Sequence, residues 1–391
     1  MTRLRLGVAG LGRAFTLMLP TLAAHPRVQL VAATDPRPEA RERFAADFSA
    51  RAHEDVEALC ADPGVDAIYV ATPHEHHAAH AIAAALAGKH VLVEKPMAIT
   101  LAEARDMIDA AETAGTHLVV GPSHSFDAPI ARARAIVESG ELGRVRMITA
   151  MQFTDFLYRP RRREELDAGA GGGVVLSQAV HQMDIVRLLG GGRVASVRGL
   201  TGTWDAARPV EGAYAALLAF EGGAFASLTY SGYGHFDSDE LMGGVSELGR
   251  AKDPAAHGSA RRALAANANA DAEEAAKAAR NYGGPGYRPA QPPEAHEHFG
   301  LVVVSCERGD IRPMPGGVHV LADLERRFEP LAPPTVPRAE VIDELCDAVF
   351  EGRHPLRDGR WGMATLEACL ALRDSARTGN EVRLQHQVAV G

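Results

Sequence analysis

The sequence predicts an α/β chain that opens with a doubly wound parallel sheet and continues as an α+β domain on a mainly antiparallel open sheet. Three observations predict it. Through the first 121 residues short apolar runs alternate with helical segments, the pattern of a parallel sheet covered on both faces. After Gly121 the runs lengthen, alternate in polarity and follow one another with few helices between them, as antiparallel strands do. Finally, 391 residues at 46% apolar and 23% charged composition suffice for more than one core. We therefore expect residues 1–121 to form one domain and residues 122–391 a second.

In the first domain the strands are expected at Arg5–Ala9, Val28–Thr34, Ala67–Ala71, His90–Glu94 and His117–Val120. Gly88 closes an alanine-rich helix, and Thr100 with Glu103 reads as a capping box opening the next. The second domain offers strands at Val145–Phe153, Ser196–Thr203, Tyr214–Phe220 and Ala224–Ser231, with one helix after glycines 171 to 173. Residues 237–298, rich in Ala, Gly, Asn and Pro, read as a partly helical insertion. Residues 339–379 carry helical periodicity broken at GRHPLRDGR, which predicts two closing helices.

Bulk properties exclude several classes. A formal net charge of -9 without a large basic patch argues against nucleic acid. The four cysteines are widely spaced, so neither a disulfide framework nor a zinc knuckle is expected. No signal-peptide pattern opens the chain, and no run reaches the roughly 18 apolar residues of a membrane span. A cytoplasmic protein with no membrane partner is the expectation.

The first strand runs into AGLGRAF. Gly10 and Gly12 fill the first two positions of the dinucleotide fingerprint, and Arg13, Ala14 and Phe15 complete the turn, with Phe15 in place of the third glycine. A tight turn at Gly10 and close backbone approach at Gly12 would put a pyrophosphate on the helix N-terminus. Asp35 ends the second strand where an acid is needed for the ribose hydroxyls, and Arg37 stands close enough to hold a 2′-phosphate instead. NAD or NADP is therefore expected, NAD being preferred for the carboxylate.

Beyond the fingerprint, ATPHEHH at 71–77, VEKP at 93–96, GGGVVLSQAVHQMD at 171–184 and the segment around Glu367, Ser375 and Gly379 together resemble the glucose-fructose oxidoreductase and inositol dehydrogenase family, Gfo/Idh/MocA. The resemblance implies that Thr72 and Pro73 line the nicotinamide side with His74 and His77 nearby, that Glu94 meets the ribose region, and that the peptide before Pro96 is cis. It also implies proton-handling roles for Lys95 and His181, with Asp184 one turn later to orient the imidazole. Alcohol oxidation needs such a group to take the hydroxyl proton. Where relatives often have an aspartate four residues before that histidine, this chain has Ser177, followed by Gln178. His76 and His80 share a helix face, but no cysteine or paired carboxylate completes a ligand set, and no metal is expected.

Arg159, Arg161, Arg162 and Arg163 lie in the loop before the helix of His181. In the family that loop borders the substrate, so an anionic small molecule is implied, recognised through Arg159, Arg161, Arg162, Gln178 and His124. The alternative is a solvated loop whose arginines pair with Glu164, Glu165 and Asp167. Together with GPSHSFD at 121–127, these stretches are most similar to the 4,5-dihydroxyphthalate dehydrogenases, which implies oxidation of a cis-dihydrodiol dicarboxylate to its catechol. Two other readings stay open: a dehydrogenase of an inositol or sugar, and a dinucleotide-binding regulator without turnover. The family resemblance further implies a homodimer or homotetramer.

Overall fold

A computed structural model describes residues 2–267, 269–289 and 291–390. Two compact units divide the chain: Met1–Pro122 with Glu274–Pro292 and Val336–Leu366, and Ser123–Glu273 with Pro293–Thr335 and Glu367–Gly391.

In the first unit the strands are β1 (Leu4–Ala9), β2 (Val28–Thr34), β3 (Arg51–His53), β4 (Ala67–Val70), β5 (His90–Val93) and β6 (Leu118–Val120). They form one sheet in the order β3-β2-β1-β4-β5-β6 with every pairing parallel. Helices α1 (Arg13–Ala24), α2 (Pro38–Phe48), α3 (Val56–Cys60), α4 (His77–Leu86) and α5 (Leu101–Ala114) connect them. The continuous burial of β4 along AIYV explains why these strands read as unbroken apolar runs. Thr100 and Glu103 make the expected reciprocal capping box at α5. The strand β3, with two of its three residues exposed, gave no apolar signal and was not expected.

The division assigns to the first unit two segments that the sequence places in the second. One carries Tyr282, which is buried against Phe15 and Phe44 at ring distances of 5.3 and 6.4 Å and donates its hydroxyl to Asp47. The other carries the helix Ala339–Glu351, whose Asp343 and Asp347 accept from Arg27. Burying an aromatic cluster and an ion-pair network decides the packing here, and neither has a local sequence signature.

In the second unit α6 (Ala128–Ser139) precedes β7 (Val145–Phe153), and α7 (Val180–Gly190) precedes β8 (Val194–Gly202), β9 (Ala213–Phe220) and β10 (Phe225–Ser231). After the segment expected as an insertion come β11 (Leu301–Cys306), β12 (Gly309–Met314), β13 (Gly317–Ala322), β14 (Arg326–Pro330) and finally β15 (Val382–Arg383). The sheet order is β14-β13-β12-β11-β7-β10-β9-β8-β15. It is antiparallel except where β7 pairs with β10 in parallel. Along β9 the burial alternates strictly after its first residue, as expected for a sheet with one covered face. Helices α6 and α7 pack on that face, and the other face exposes Met147, Leu200, Leu217 and Phe225. Among the described residues no helix is long and apolar enough to cross a membrane.

Candidate active site

In the first unit, the turn after β1 gives Gly10 a φ of +95°, and a Cβ there would lie 2.8 Å from the Ala71 carbonyl oxygen. No other residue fits, because the turn presses against the end of β4. Gly12 caps α1 without a side-chain hydrogen bond, and a Cβ on it would meet nothing within 4 Å. An uncapped helix N-terminus facing open space, with no acid in its first turn, fits a pyrophosphate. Arg13 and Ala14 are partly exposed on that turn, whereas Phe15 is buried against Phe44 and Tyr282. Phe15 thus belongs to the core and not to the cofactor surface.

Asp35 is 7% exposed. One oxygen accepts from the Leu11 amide at 2.8 Å, and the other accepts from the Arg37 amide and Nε at 3.0 and 2.9 Å. The rest of the Arg37 guanidinium donates to the Tyr282 and Leu11 carbonyls at 3.0 and 2.9 Å and to Asp35 at 3.2 Å. Acid and arginine thereby form one clasp that ties the glycine turn to the end of β2.

The ATPHEHH and VEKP stretches leave β4 and β5 side by side. Thr72, Pro73 and His74 are partly exposed at the strand end, and Thr72 Oγ1 lies 3.1 Å from His80 Nδ1. His77 differs from its expected role: it is wholly buried, with Nδ1 2.8 Å from the Pro96 carbonyl and Nε2 2.8 Å from the Thr72 carbonyl. Its imidazole sits between the two carbonyls, and since burial draws its pKa down, the neutral ring has one N–H to donate to one of them. Glu94 likewise turns inward, accepting from the Tyr69 hydroxyl at 2.5 Å; burial pushes its carboxyl up against the pull of Lys95. Lys95 is partly exposed beyond the end of β5, and the Lys95–Pro96 peptide is cis.

In the second unit a single π-helical turn, Val175–Ala179, runs into α7. Such turns re-aim the side chains that follow. A Cβ on Gly172 would meet the carbonyl oxygens of Glu165, Asp167 and Glu164 at 2.6 to 2.7 Å, so the glycines allow the helix entry to lie directly on the arginine loop. Ser177 donates to the Gly173 carbonyl at 2.5 Å. Gln178 accepts from the Tyr230 hydroxyl at 3.4 Å, and Gln182 accepts from the Tyr214 hydroxyl at 2.8 Å. His181 is 7% exposed, its ring 4.8 Å from that of His124 and 4.7 Å from that of Phe299. Asp184 is buried one turn later, where with burial it helps push the Cys369 thiol up.

The four arginines part company. Arg163 pairs at the surface with Asp271, and Arg162 pairs with Glu164 and Glu165 at 3.7 and 4.0 Å. Arg162, expected at the substrate, takes part in the loop's own charge pairing. Arg159 donates to Asp155 and Thr154 and lies 3.8 Å from Glu247. Arg161, its side chain 9% exposed, holds its guanidinium 3.5 Å over the Phe156 ring; it pairs with Glu165 at 3.5 Å and donates to the Phe156 carbonyl, while its Nε–H finds no partner among the described residues. Burial draws the Arg161 guanidinium down, and Arg159 and Arg161 both act on the buried Tyr230.

Sequence reasoning missed the groups that hold this loop. Glu273, from the segment expected as an insertion, accepts from the Arg161 amide at 2.8 Å and from Arg208 at 2.9 and 3.0 Å in a buried ion pair. Replacing Glu273 by alanine strands Arg208 and should cost about 3 kcal/mol, read as a lower thermal midpoint of the full chain; a change below about 1 kcal/mol would count against the pair. Phe299 and Tyr230, which wall the His181 side of the unit, carried no motif that could have marked them.

Residues 4–122 match the oxidoreductase family with NAD-binding Rossmann fold, and residues 130–242 match the GFO/IDH/MocA C-terminal domain. A 1-carboxy-3-chloro-3,4-dihydroxycyclohexa-1,5-diene dehydrogenase of Comamonas testosteroni is 49% identical over 96% of this chain and 95% of its own. The crystal structure of a protein from Bordetella bronchiseptica RB50 assigned as a dehydrogenase shares 42% identity at a TM-score of 0.92, covering 98% of this chain and 100% of that one. An aldose-aldose oxidoreductase of Caulobacter crescentus shares the fold at 24% identity and a TM-score of 0.73, with 98% and 100% coverage. With both domains matched and a near full-length relative at this identity, the chain belongs to the Gfo/Idh/MocA oxidoreductase family and is an NAD(P)-dependent dehydrogenase.

Proposed function

We propose that this dehydrogenase oxidises a cis-dihydrodiol of a carboxylated cyclohexadiene to the corresponding catechol, with NAD as the preferred cofactor. The observation that carries the reading is the near full-length likeness to the Comamonas testosteroni enzyme, whose named substrate joins a carboxylate to a vicinal diol. Within this chain it is supported by Arg161, whose guanidinium pairs with Glu165 at 3.5 Å and keeps an Nε–H without a partner among the described residues. A carboxylate is the natural acceptor for such a donor. The 4,5-dihydrodiol of phthalate stays the first candidate, its second carboxylate falling to Arg159.

Gly10, Gly12, Arg13, Ala14, Asp35, Thr72 and Pro73 are the residues that would hold the dinucleotide. The bound nicotinamide supplies the hydride acceptor. Lys95 and His181 are the groups we assign to the hydroxyl proton, each with a basic nitrogen suited to that transfer. Loss of hydride from one carbinol carbon and of its hydroxyl proton gives a hydroxy-enone, which enolises to the catechol with no further loss of electrons. That gain of aromaticity suits a chain with Ser177 in place of an acid four residues before His181.

The NAD preference rests on the clasp at the end of β2. A 2′-phosphate would meet the Asp35 carboxylate, and four of the five Arg37 side-chain N–H donors are already used on Asp35, Leu11 and Tyr282. Two copies joined through the exposed apolar face of the nine-stranded sheet is the assembly we expect.

The test is one panel. Purified protein is given NAD or NADP with cis-dihydrodiols bearing two, one or no carboxylates, and with myo-inositol, while nicotinamide absorbance is followed and the same preparation is sedimented. Turnover of carboxylated diols with NAD, and loss of roughly two orders of magnitude without the carboxylate, is the expected pattern. Preferred turnover of inositol would remove the diol reading, faster reduction of NADP the cofactor preference, and a monomer the assembly.

A further inference from the structure

Two imidazoles meet in the second unit, and carboxylates gather around one of them, His124. His124 Nδ1 lies 2.7 Å from an Asp127 carboxylate oxygen, with the two side chains 7% and 8% exposed. Polar atoms of His124, Asp127 and Glu297 all lie within 4.8 Å of one another. The His181 ring stands edge-on to His124 at 4.8 Å and an interplanar angle of 65°, and Phe299 covers both, at 5.2 Å from His124 and 4.7 Å from His181. A carboxylate removed from water needs a compensating charge, and the nearest group able to supply one is the imidazole it touches. Burial works against protonating His124, but Asp127, with Glu297 and Glu247 behind it, outweighs burial and the direction is upward.

We propose that His124 is a fixed imidazolium, a positioning residue whose charge holds the neighbouring His181 unprotonated at neutral pH. Two adjacent imidazoles cannot both carry charge cheaply, and the one clasped by Asp127 keeps the proton. Among the described residues, Asp184 follows His181 one turn later on the same helix, and Tyr230, on which Arg159 and Arg161 act, stacks at 6.2 Å on the Phe299 ring that covers both imidazoles. The usefulness of this arrangement rests on the reading above, in which His181 receives the hydroxyl proton: an imidazole that starts neutral can do so.

The experiment follows the titration of both histidines by NMR in the full-length chain carrying isotope-labelled histidine, with and without NAD, so that no turnover is needed. In the wild type, His181 should lose its proton at a lower pH than His124; the opposite order overturns the proposal, and this measurement needs no variant to fold. In H124N the charge is gone and the carboxylates remain, so the His181 pKa should rise by about one unit or more, with H124R returning it toward the wild-type value. An unchanged His181 titration in folded H124N overturns the proposal, as does activity that is lost to a chelator and restored by a divalent ion bound at His124. The acid limb of kcat/KM, measured in parallel, should move up with the His181 titration. If the titration moves and the limb does not, the electrostatic proposal stands and the assignment of His181 as proton acceptor falls.

Discussion

Replacing Lys95 by alanine is expected to lower kcat/KM by about 10²- to 10⁴-fold while leaving NAD affinity close to that of the wild type. The reasoning lies in what fixes this corner of the first unit. The Glu94 amide donates to the Val70 carbonyl at 3.0 Å, Glu94 itself is anchored on Tyr69, and His77 sits between the Pro96 and Thr72 carbonyls. None of these bonds uses the ammonium group, so its removal should leave the strand ends and the glycine turn in place. Steady-state kinetics paired with a fluorescence titration of NAD separates the outcomes. Turnover within about tenfold of wild type would exclude Lys95 from proton transfer, and a parallel collapse of NAD affinity would reassign it to the cofactor. Replacing His77 would be a poor substitute experiment, because that imidazole holds backbone and its loss would shift Lys95 and Thr72 together.

That contrast between Lys95 and His77 also marks where the sequence was informative. Strand positions were readable because parallel strands buried on both faces must be apolar throughout, and β2 and β7 end where expected. The glycine turn was readable because Gly10 answers a backbone requirement that no other residue meets. A motif gives a residue's place along the chain and not the direction of its side chain, so His77, Glu94 and Phe15 read as cofactor contacts although each turns into the core. The same ambiguity made Arg162 and Arg161 look equivalent. Arg161 and Arg162 both reach Glu165 within the loop, at 3.5 and 4.0 Å; they differ because the Arg161 guanidinium is packed over Phe156 and its amide is held by Glu273, more than a hundred residues away. Tyr282 was unreadable for a related reason: it sits in NYGGPGYRP, a stretch without periodicity, and only closure onto Phe15 and Phe44 gives it a place.

The second large effect is expected at Arg161. Methionine there keeps much of the apolar stem against Phe156 but removes the guanidinium, and with it the donor assigned to the substrate carboxylate. A carboxylate left facing an apolar wall should weaken kcat/KM by about 2–4 kcal/mol, a factor of roughly 30 to 1,000. The same variant should treat the diol without a carboxylate as well as the wild type does, because that substrate offers the guanidinium nothing to recognise, and the charge is otherwise balanced by Glu165 at 3.5 Å. Loss on one substrate without loss on the other is the signature of recognition; equal loss on both would make Arg161 a support of the loop and remove the carboxylate from the reading. Arg162→Met supplies the comparison. Its charge is balanced by Glu164 and Glu165 on the loop's outer side, where exposed pairs are worth no more than about 1 kcal/mol, so neither substrate should distinguish that variant from wild type. If Arg162→Met instead reproduced the selective loss, the carboxylate would be bound on the outer side of the loop, and the division of the four arginines drawn from their pairing would be the step in error.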